Sequence, residues 1–288
     1  MEKKIHWFPG HMAKARREIE EKIKLVDIII ELVDARAPIS SRNPMIKELT
    51  CNKPVLIVMT KKDLADSNQT TKWLQKYQQN NQPAIALNLN NFNEYKKIIR
   101  TCKELLTDVI EKNARKGLKP KPIRALILGI PNVGKSTLIN RLAKRKATKT
   151  GDRPGVTKAQ QLIRVDKDFE LFDTPGVLWP KFDDEQTAKN IALIGSIKNT
   201  ILPLDDLFVY AIPYLSRYYP ELLLERYQMQ LDLESEWIDE ACKSIAKVRH
   251  IQLVKNELNY NRIIETFFNE VLSGQLGQIT WERYDGKI

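Results

Sequence analysis

Four short apolar runs punctuate the first half of the chain: Asp27–Val33 (DIIIELV), Pro54–Met59 (PVLIVM), Ala84–Leu89 (AIALNL) and Arg124–Leu128 (RALIL). Their strand length and near-continuous apolar character predict strands buried on both faces. Thr70–Gln79 and Asn93–Asn113 predict helices between them. Pro9–Lys24 predicts a charged helix in front, its Lys14, Arg16, Arg17, Lys22 and Lys24 interleaved with Glu18, Glu20 and Glu21. Strands alternating with helices imply an α/β fold with a mainly parallel sheet. Gln161–Val165 and Phe169–Phe172 flank Asp166-Lys167-Asp168 and predict a β-hairpin. After about Pro180 the pattern turns helical throughout: Thr187–Ile197, Leu204–Ser216, Glu221–Leu231, Ser235–Lys247 and Asn261–Leu272. In the last, Ile263, Ile264, Phe267, Phe268, Val271 and Leu272 form one core-facing stripe. The expected organisation is an α/β domain over residues 1–180 and an all-α domain over 181–288.

At 288 residues the chain has room for two such domains, and 42% hydrophobic with 29% charged residues excludes disorder. The net charge of +11 points to a polyanionic partner, with a merely well-solvated surface as the alternative. Two runs concentrate it: Lys112–Arg124 carries six basic residues and no acid, and Arg141–Arg153 six against one. Three separated cysteines, three histidines and no CxxC pair argue against a disulfide scaffold or structural zinc site and fit a reducing cytoplasm. The opening MEKKIHWFPGHM has no apolar signal core. The longest apolar stretches, Ala125–Gly134 and Leu207–Ser216, are about half of the roughly 20 residues needed to cross a bilayer, so no membrane partner is expected.

Gly129-Ile-Pro-Asn-Val-Gly134-Lys135-Ser136-Thr137 fits G-x-x-x-x-G-K-[ST] between an expected strand and an expected helix. Glycines let the backbone approach an anion, Lys135 reaches the β- and γ-phosphates, and the Ser136 hydroxyl ligates Mg²⁺. This is a nucleoside triphosphate site. Downstream, Asp173-Thr-Pro-Gly176 supplies a carboxylate for the Mg²⁺ shell and a Gly176 N–H for the γ-phosphate. Thr157, between the two, is either a switch threonine completing the metal shell or an ordinary loop residue. Guanine requires a carboxylate that accepts from N1–H and the exocyclic amine. Thr60-Lys61-Lys62-Asp63 supplies one after the second apolar run, with the Lys61 stem available to cover the base. It resembles the NKxD motif of GTPases, with Thr60 in place of Asn.

The order of these motifs, with the base motif before the P-loop, resembles that of circularly permuted GTPases; in ordinary small GTPases the base motif comes last. Trp7-Phe-Pro-Gly-His11-Met, Asp34-Ala-Arg36 and Ser41-Arg-Asn-Pro44 closely resemble the ribosome biogenesis GTPase A (YlqF) family, over essentially the whole chain. The resemblance implies a permuted P-loop GTPase domain followed by a helical RNA-binding domain. It implies hydrolysis of GTP to GDP and phosphate during late maturation of the large (50S) ribosomal subunit. Residue by residue, it assigns guanine recognition to Thr60, Lys61 and Asp63, with Lys62 in the same turn. It places the backbone of Asn88 and Leu89 near the base oxygen and gives the phosphates to Asn132, Val133, Gly134, Lys135, Ser136 and Thr137. Asn132 resembles the P-loop asparagine that holds K⁺ in potassium-activated GTPases, the alternative being a turn residue.

Many GTPases orient the attacking water with a glutamine just after DxxG. Here Val177-Leu178-Trp179 follows and cannot polarise water. The missing glutamine and the resemblance together make His11 the catalytic candidate, against a capping or packing role. Ribosomal RNA is the expected partner and activator, recognised by backbone and shape rather than base sequence, and no DNA contact is expected. Arg217, Arg226, Lys243, Lys247, Arg249 and Lys255 are tail residues available for it. The readings left open are a protein-directed signalling GTPase without ribosome binding, and a P-loop ATPase or kinase.

Overall fold

The computed structural model describes residues 9–50, 53–91, 94, 96–143, 162–174, 184–197, 203–234, 236–252 and 257–285, with backbone alone for 9–15, 45 and 47. The chain divides into two units. One is Met1–Asp183 together with Thr280–Ile288, and the other is Asp184–Ile279.

The first unit is built on a six-stranded sheet in the order β3-β2-β1-β4-β6-β5. Its strands are β1 (Ile28–Asp34), β2 (Val55–Thr60), β3 (Ala84–Ala86), β4 (Ile123–Gly129), β5 (Leu162–Asp166) and β6 (Phe169–Phe172). All pairings are parallel except the β5–β6 hairpin. Every residue of β1 is buried, as expected of a central strand covered on both faces. The register sets Asp34 beside Thr60 and Leu32 beside Gly129, so β1, β2 and β4 end together along one sheet edge. Ligands of open α/β sheets bind outside such carboxyl ends.

Helix α1 (Pro9–Ile23) covers the sheet through Ile19 and Ile23, which join Val26, Ile29, Ile46, Leu126 and Leu128 in one core cluster. Helix α2 (Pro44–Leu49) starts with proline, which suits a first helical turn. Helix α3 (Ser67–Gln79) is capped by Asp66, whose carboxylate accepts from the N–H groups of Asn68 and Gln69, and it packs Trp73 and Tyr77 against Val33, Ile57 and Met59. The single helix expected over Asn93–Asn113 is two: α4 (Lys96–Leu105) and α5 (Thr107–Arg115). The chain turns at Leu106, the last buried apolar side chain of the stretch, and α5 buries nothing. Without a core-facing stripe, α5 has no reason to continue the axis of α4.

The second unit contains α7 (Glu185–Leu193), α8 (Leu204–Tyr218), α9 (Pro220–Tyr227), α10 (Trp237–Val248) and α11 (Tyr260–Ser273). The α11 stripe is core: Phe267 meets Phe208 edge-on at 5.2 Å and Phe268 at 5.3 Å. The buried Glu270 carboxylate gathers Arg226 (2.8 Å), Arg249 (2.6 Å) and the Tyr227 hydroxyl (2.9 Å). Two of the basic residues expected to face RNA, Arg226 and Arg249, are therefore tied, half-buried, to a buried carboxylate of the unit itself.

The expected 181–288 domain does not run to the C-terminus. At Thr280 the chain re-enters the first unit, where the Trp281 N–H donates to Arg36 O (2.7 Å) and the Trp73 indole N–H to Glu282 O (2.7 Å). Among the described residues no helix is long and apolar enough to cross a membrane.

Candidate active site

Strand β4 ends at Gly129, and residues 130–134 turn the chain into α6 (Lys135–Leu142). A Cβ on Gly129 would lie 2.8 Å from Leu32 O and 2.9 Å from Val133 Cγ1, so only glycine permits this close approach to β1. Asn132 (φ 59°) and Gly134 (φ 100°) are both left-handed. Such turns let successive N–H groups converge on an anion, and the first turn of α6 adds the positive end of a helix. Val133 is buried, Asn132 is exposed, and Ser136 and Thr137 are half-buried. The buried Lys135 ammonium folds back to donate to Gly129 O (3.0 Å) and Ile130 O (2.7 Å). Burial pushes it down to about 8, with Asp173 opposing. An ammonium desolvated in this way gains when an anion replaces those carbonyls.

The base motif stands beside this loop. The fully buried Thr60 hydroxyl lies 2.7 Å from Val133 O and 3.1 Å from Val33 O, so its one proton points mainly into the P-loop. Lys61 follows in the left-handed region (φ 56°) and sets its ammonium 3.0 Å from Asp34 Oδ2. The Lys62 ammonium instead meets Glu94 Oε1 at 2.7 Å, while Glu94 Oε2 accepts from the Asn88 N–H at 2.8 Å. Glu94 thus ties the 60–63 turn to the turn after β3. Asp63 is exposed at the rim. Leu89 leans on Gly134, where a Cβ would come within 2.7 Å of its Cδ1. The structure therefore joins Thr60–Asp63, Asn88–Leu89 and Asn132–Thr137 at one sheet edge.

On the other side, β6 delivers Asp173. Thr174 anchors the exit by donating to Ile127 O at 2.6 Å. Asp173 is 2% exposed, and its Oδ2 has no hydrogen-bond partner among the described residues. Burial raises its pKa against the pull of Lys135, the Thr174 N–H and Lys22. A buried, unsatisfied carboxylate oxygen close enough to feel the Lys135 charge is a hard donor that fits Mg²⁺, and Ser136 is the next residue of that loop. Of the other residues expected here, Thr157 and Gly176 lie outside the described residues, as does the side chain of His11, whose backbone is in the first turn of α1.

Two buried charged residues to which the motifs assign no site role, Lys22 and Asp34, stand beside these groups. Lys22 of α1 is 2% exposed and donates to Asp173 O at 2.9 Å, so the helix that begins near His11 is pinned to the carboxylate-bearing strand end. It lies three residues after Ile19 and beside Ile23 on the buried side of α1, and that spacing was the available signal. Asp34, at the end of β1, accepts from the Arg36 backbone N–H (3.0 Å), Arg36 Nε (2.9 Å), Arg36 Nη2 (2.9 Å) and Lys61. Burial opposes its ionisation, but Arg36 and Lys61 outweigh it and hold the carboxyl well below the usual range.

Comparison with known proteins agrees with this geometry. Family models described as "50S ribosome-binding GTPase" and "RsgA GTPase" match residues 124–256 and 41–182. Ribosome biogenesis GTPase A of Bacillus cereus is 49% identical over 278 residues, covering 96% of this chain and 93% of the relative. Probable ribosome biogenesis GTPase A of Mycoplasma genitalium is 33% identical, covering 97% of each. The crystal structure of GNP-bound YlqF from T. maritima superposes with a TM-score of 0.65 at 25% identity, covering 94% of this chain and 98% of that one. With the base motif on β2 preceding the P-loop after β4, and with relatives this similar over nearly the full length, the chain belongs to the ribosome biogenesis GTPase A (YlqF) family of circularly permuted GTPases and is a GTP hydrolase.

Proposed function

We propose that this GTPase binds guanine through Thr60, Lys61 and Asp63 and the phosphates through Asn132–Thr137 and Gly176, and that it acts in the cytoplasm on the maturing large ribosomal subunit. The observation that carries the nucleotide pocket is the Thr60 hydroxyl on Val133 O, which makes base loop and phosphate loop one structure. Asp63, at the rim, accepts from guanine N1–H and the exocyclic amine, and the Lys61 stem covers the ring. The Asn88–Leu89 turn, braced by Glu94, closes the base side. Lys62 serves the same bracing rather than reaching the nucleotide.

GTPases of this kind use Mg²⁺, which neutralises charge on the β- and γ-phosphates. Ser136, Asp173 and Thr157 would hold it. Asn132, on the exposed lip of the P-loop, would hold K⁺; equal turnover in potassium and sodium buffers would remove that assignment. His11 orients the attacking water from the start of α1; the absence of a glutamine after Asp173-Thr-Pro-Gly176 and the family resemblance support this role. His11→Ala is expected to keep GTP affinity while turnover falls sharply.

For the partner, the relatives' names point to ribosome assembly. Lys112, Arg115, Lys116, Lys119 and Lys121 are all exposed, with no acid among residues 112–121, and suit rRNA phosphates. The family supports neither a signalling role nor an ATPase or kinase, and membrane and DNA have no part in this reading. The test is co-sedimentation with large-subunit precursors in a GTP analogue and in GDP across a salt series. Binding is expected to favour the GTP form and to fall steeply with salt as counterion release weakens. Equal, salt-insensitive binding in both states would refute it.

A further inference from the structure

The Asp34-Ala-Arg36 motif has no part in the nucleotide chemistry described so far, yet it holds one of the most completely paired buried charges in the first unit. Asp34 is 0% exposed and Arg36 3%. The four hydrogens reaching the carboxylate, three from Arg36 and one from Lys61, match its four lone-pair sites. Asp34 is also built into its own loop, since its N–H donates to Ser41 Oγ at 2.9 Å and Ser41 Oγ donates to Ala37 O at 2.6 Å. The same loop is held from outside by the C-terminal strap. Trp281 N–H donates to Arg36 O, the Glu282 carboxylate accepts from the N–H groups of Ile39 and Ser40 and from the Ser40 hydroxyl, and Thr280 Oγ1 accepts from Asp66 N–H at 3.2 Å. The Tyr284 ring meets Trp73 at 5.5 Å, tilted by 40°, which locks the strap onto α3.

We propose that Asp34 is a positioning residue for guanine recognition, holding Lys61 in the extended form that covers the base, and that the strap Thr280–Tyr284 locks the loop from which it acts. This rests on the reading of Lys61 and Asp63 given above. A free lysine carries about 2 kcal/mol of rotamer entropy. Pairing Lys61 with a buried, fixed carboxylate moves that ordering from nucleotide binding to folding, which is pre-organisation. The left-handed backbone at Lys61 serves the same end, because it turns the side chain back across the end of β1 towards Asp34. Connectivity adds a consequence: the helical unit follows the Asp173 end of the site and is followed by the strap that backs its guanine end.

The test is GDP and GTP-analogue binding by fluorescence titration for Asp34→Asn, Lys61→Met and the double variant, with Glu282→Gln alongside. Asp34→Asn is expected to weaken both nucleotides roughly tenfold. In the Lys61→Met background the same change is expected to add less than about twofold, because acting through one side chain makes the effects non-additive. Glu282→Gln, which leaves the buried pair intact, is expected to speed GDP release several-fold, again only when Lys61 is present. Unchanged affinity in Asp34→Asn, or an equal loss with and without Lys61, would overturn the positioning role. If Asp34→Asn does not fold, wild-type GDP release by Glu282→Gln overturns the proposal, and Lys61-dependent acceleration supports it. Asp63→Asn binding of XDP over GDP checks the base motif separately, so a failure there is distinguishable from a failure at Asp34.

Discussion

Replacing Thr60 with valine removes one hydroxyl from a fully buried position while keeping the shape of the side chain. The bond lost is the 2.7 Å contact to Val133 O, with the weaker approach to Val33 O at 3.1 Å. A buried carbonyl deprived of its donor costs about 1–3 kcal/mol. In a unit of this size each kcal/mol moves Tm by about 2–4 °C, so a loss near 2 kcal/mol lowers Tm by about 4–8 °C. Because Val133 belongs to the phosphate loop, part of that loss falls on binding. If half of it does, GDP affinity drops about fivefold and the Tm loss is about 2–4 °C. Thr60→Ser keeps the hydroxyl and sacrifices a methyl group, costing stability but little affinity. Calorimetric melting paired with GDP titration separates the two. Wild-type affinity in Thr60→Val, or equal damage in Thr60→Ser, would refute the idea that the base motif braces the P-loop through this bond.

Other consequences concern single groups. Alanine at Gly134 must adopt φ near 100° and meet Leu89 Cδ1 at 2.7 Å; the backbone strain alone is about 1–2 kcal/mol, so GDP titration of Gly134→Ala should show at least a several-fold loss. Asp34 has a folded pKa below its unfolded value of about 4, so its contribution is complete above pH 4 and is lost as pH falls further. The stability gap between wild type and Asp34→Asn in urea melts should therefore narrow from pH 5 to pH 2, and a constant gap would contradict the pairing. Glu270→Gln leaves two guanidinium groups facing a neutral amide, and a broken buried pair costs about 3–5 kcal/mol. Hydrogen exchange should rise across 184–279 in that variant, and unchanged protection would count against the ion-pair hub.

Much of this architecture was legible because its signals are local. Buried parallel strands advertise themselves as apolar runs, and Ile28–Asp34, Val55–Thr60 and Ile123–Gly129 fall within a residue or so of the runs that predict them. The run at Ala84–Leu89 forms strand only to Ala86, because Leu87 turns away after its N–H donates to Met59 O and Leu89 is used against the P-loop. The P-loop itself is a contiguous sentence of residues. What stayed hidden depends on which side of an element meets what. Lys22 reads as one more charge on a charged helix until the sheet beneath Ile19 and Ile23 is in place. Lys62 and Lys61 are neighbours in the motif, yet one faces Glu94 and the other Asp34, a choice made by the left-handed backbone at Lys61. Arg226 and Arg249 look free for RNA until the buried Glu270 claims them. The strap had no periodic signal at all. Thr280–Asp285 is neither helix nor strand, and its place is fixed by hydrogen bonds to residues more than two hundred positions earlier.

A crystal structure of the GDP complex tests the permuted pocket most directly. The guanine edge should lie within hydrogen-bond reach of the Asp63 carboxylate, with the Lys61 stem over its face. The Lys135 ammonium should have left Gly129 O and Ile130 O for the β-phosphate. A diphosphate cradled by residues 129–137 whose base points away from β2, leaving Asp63 untouched, would contradict the account.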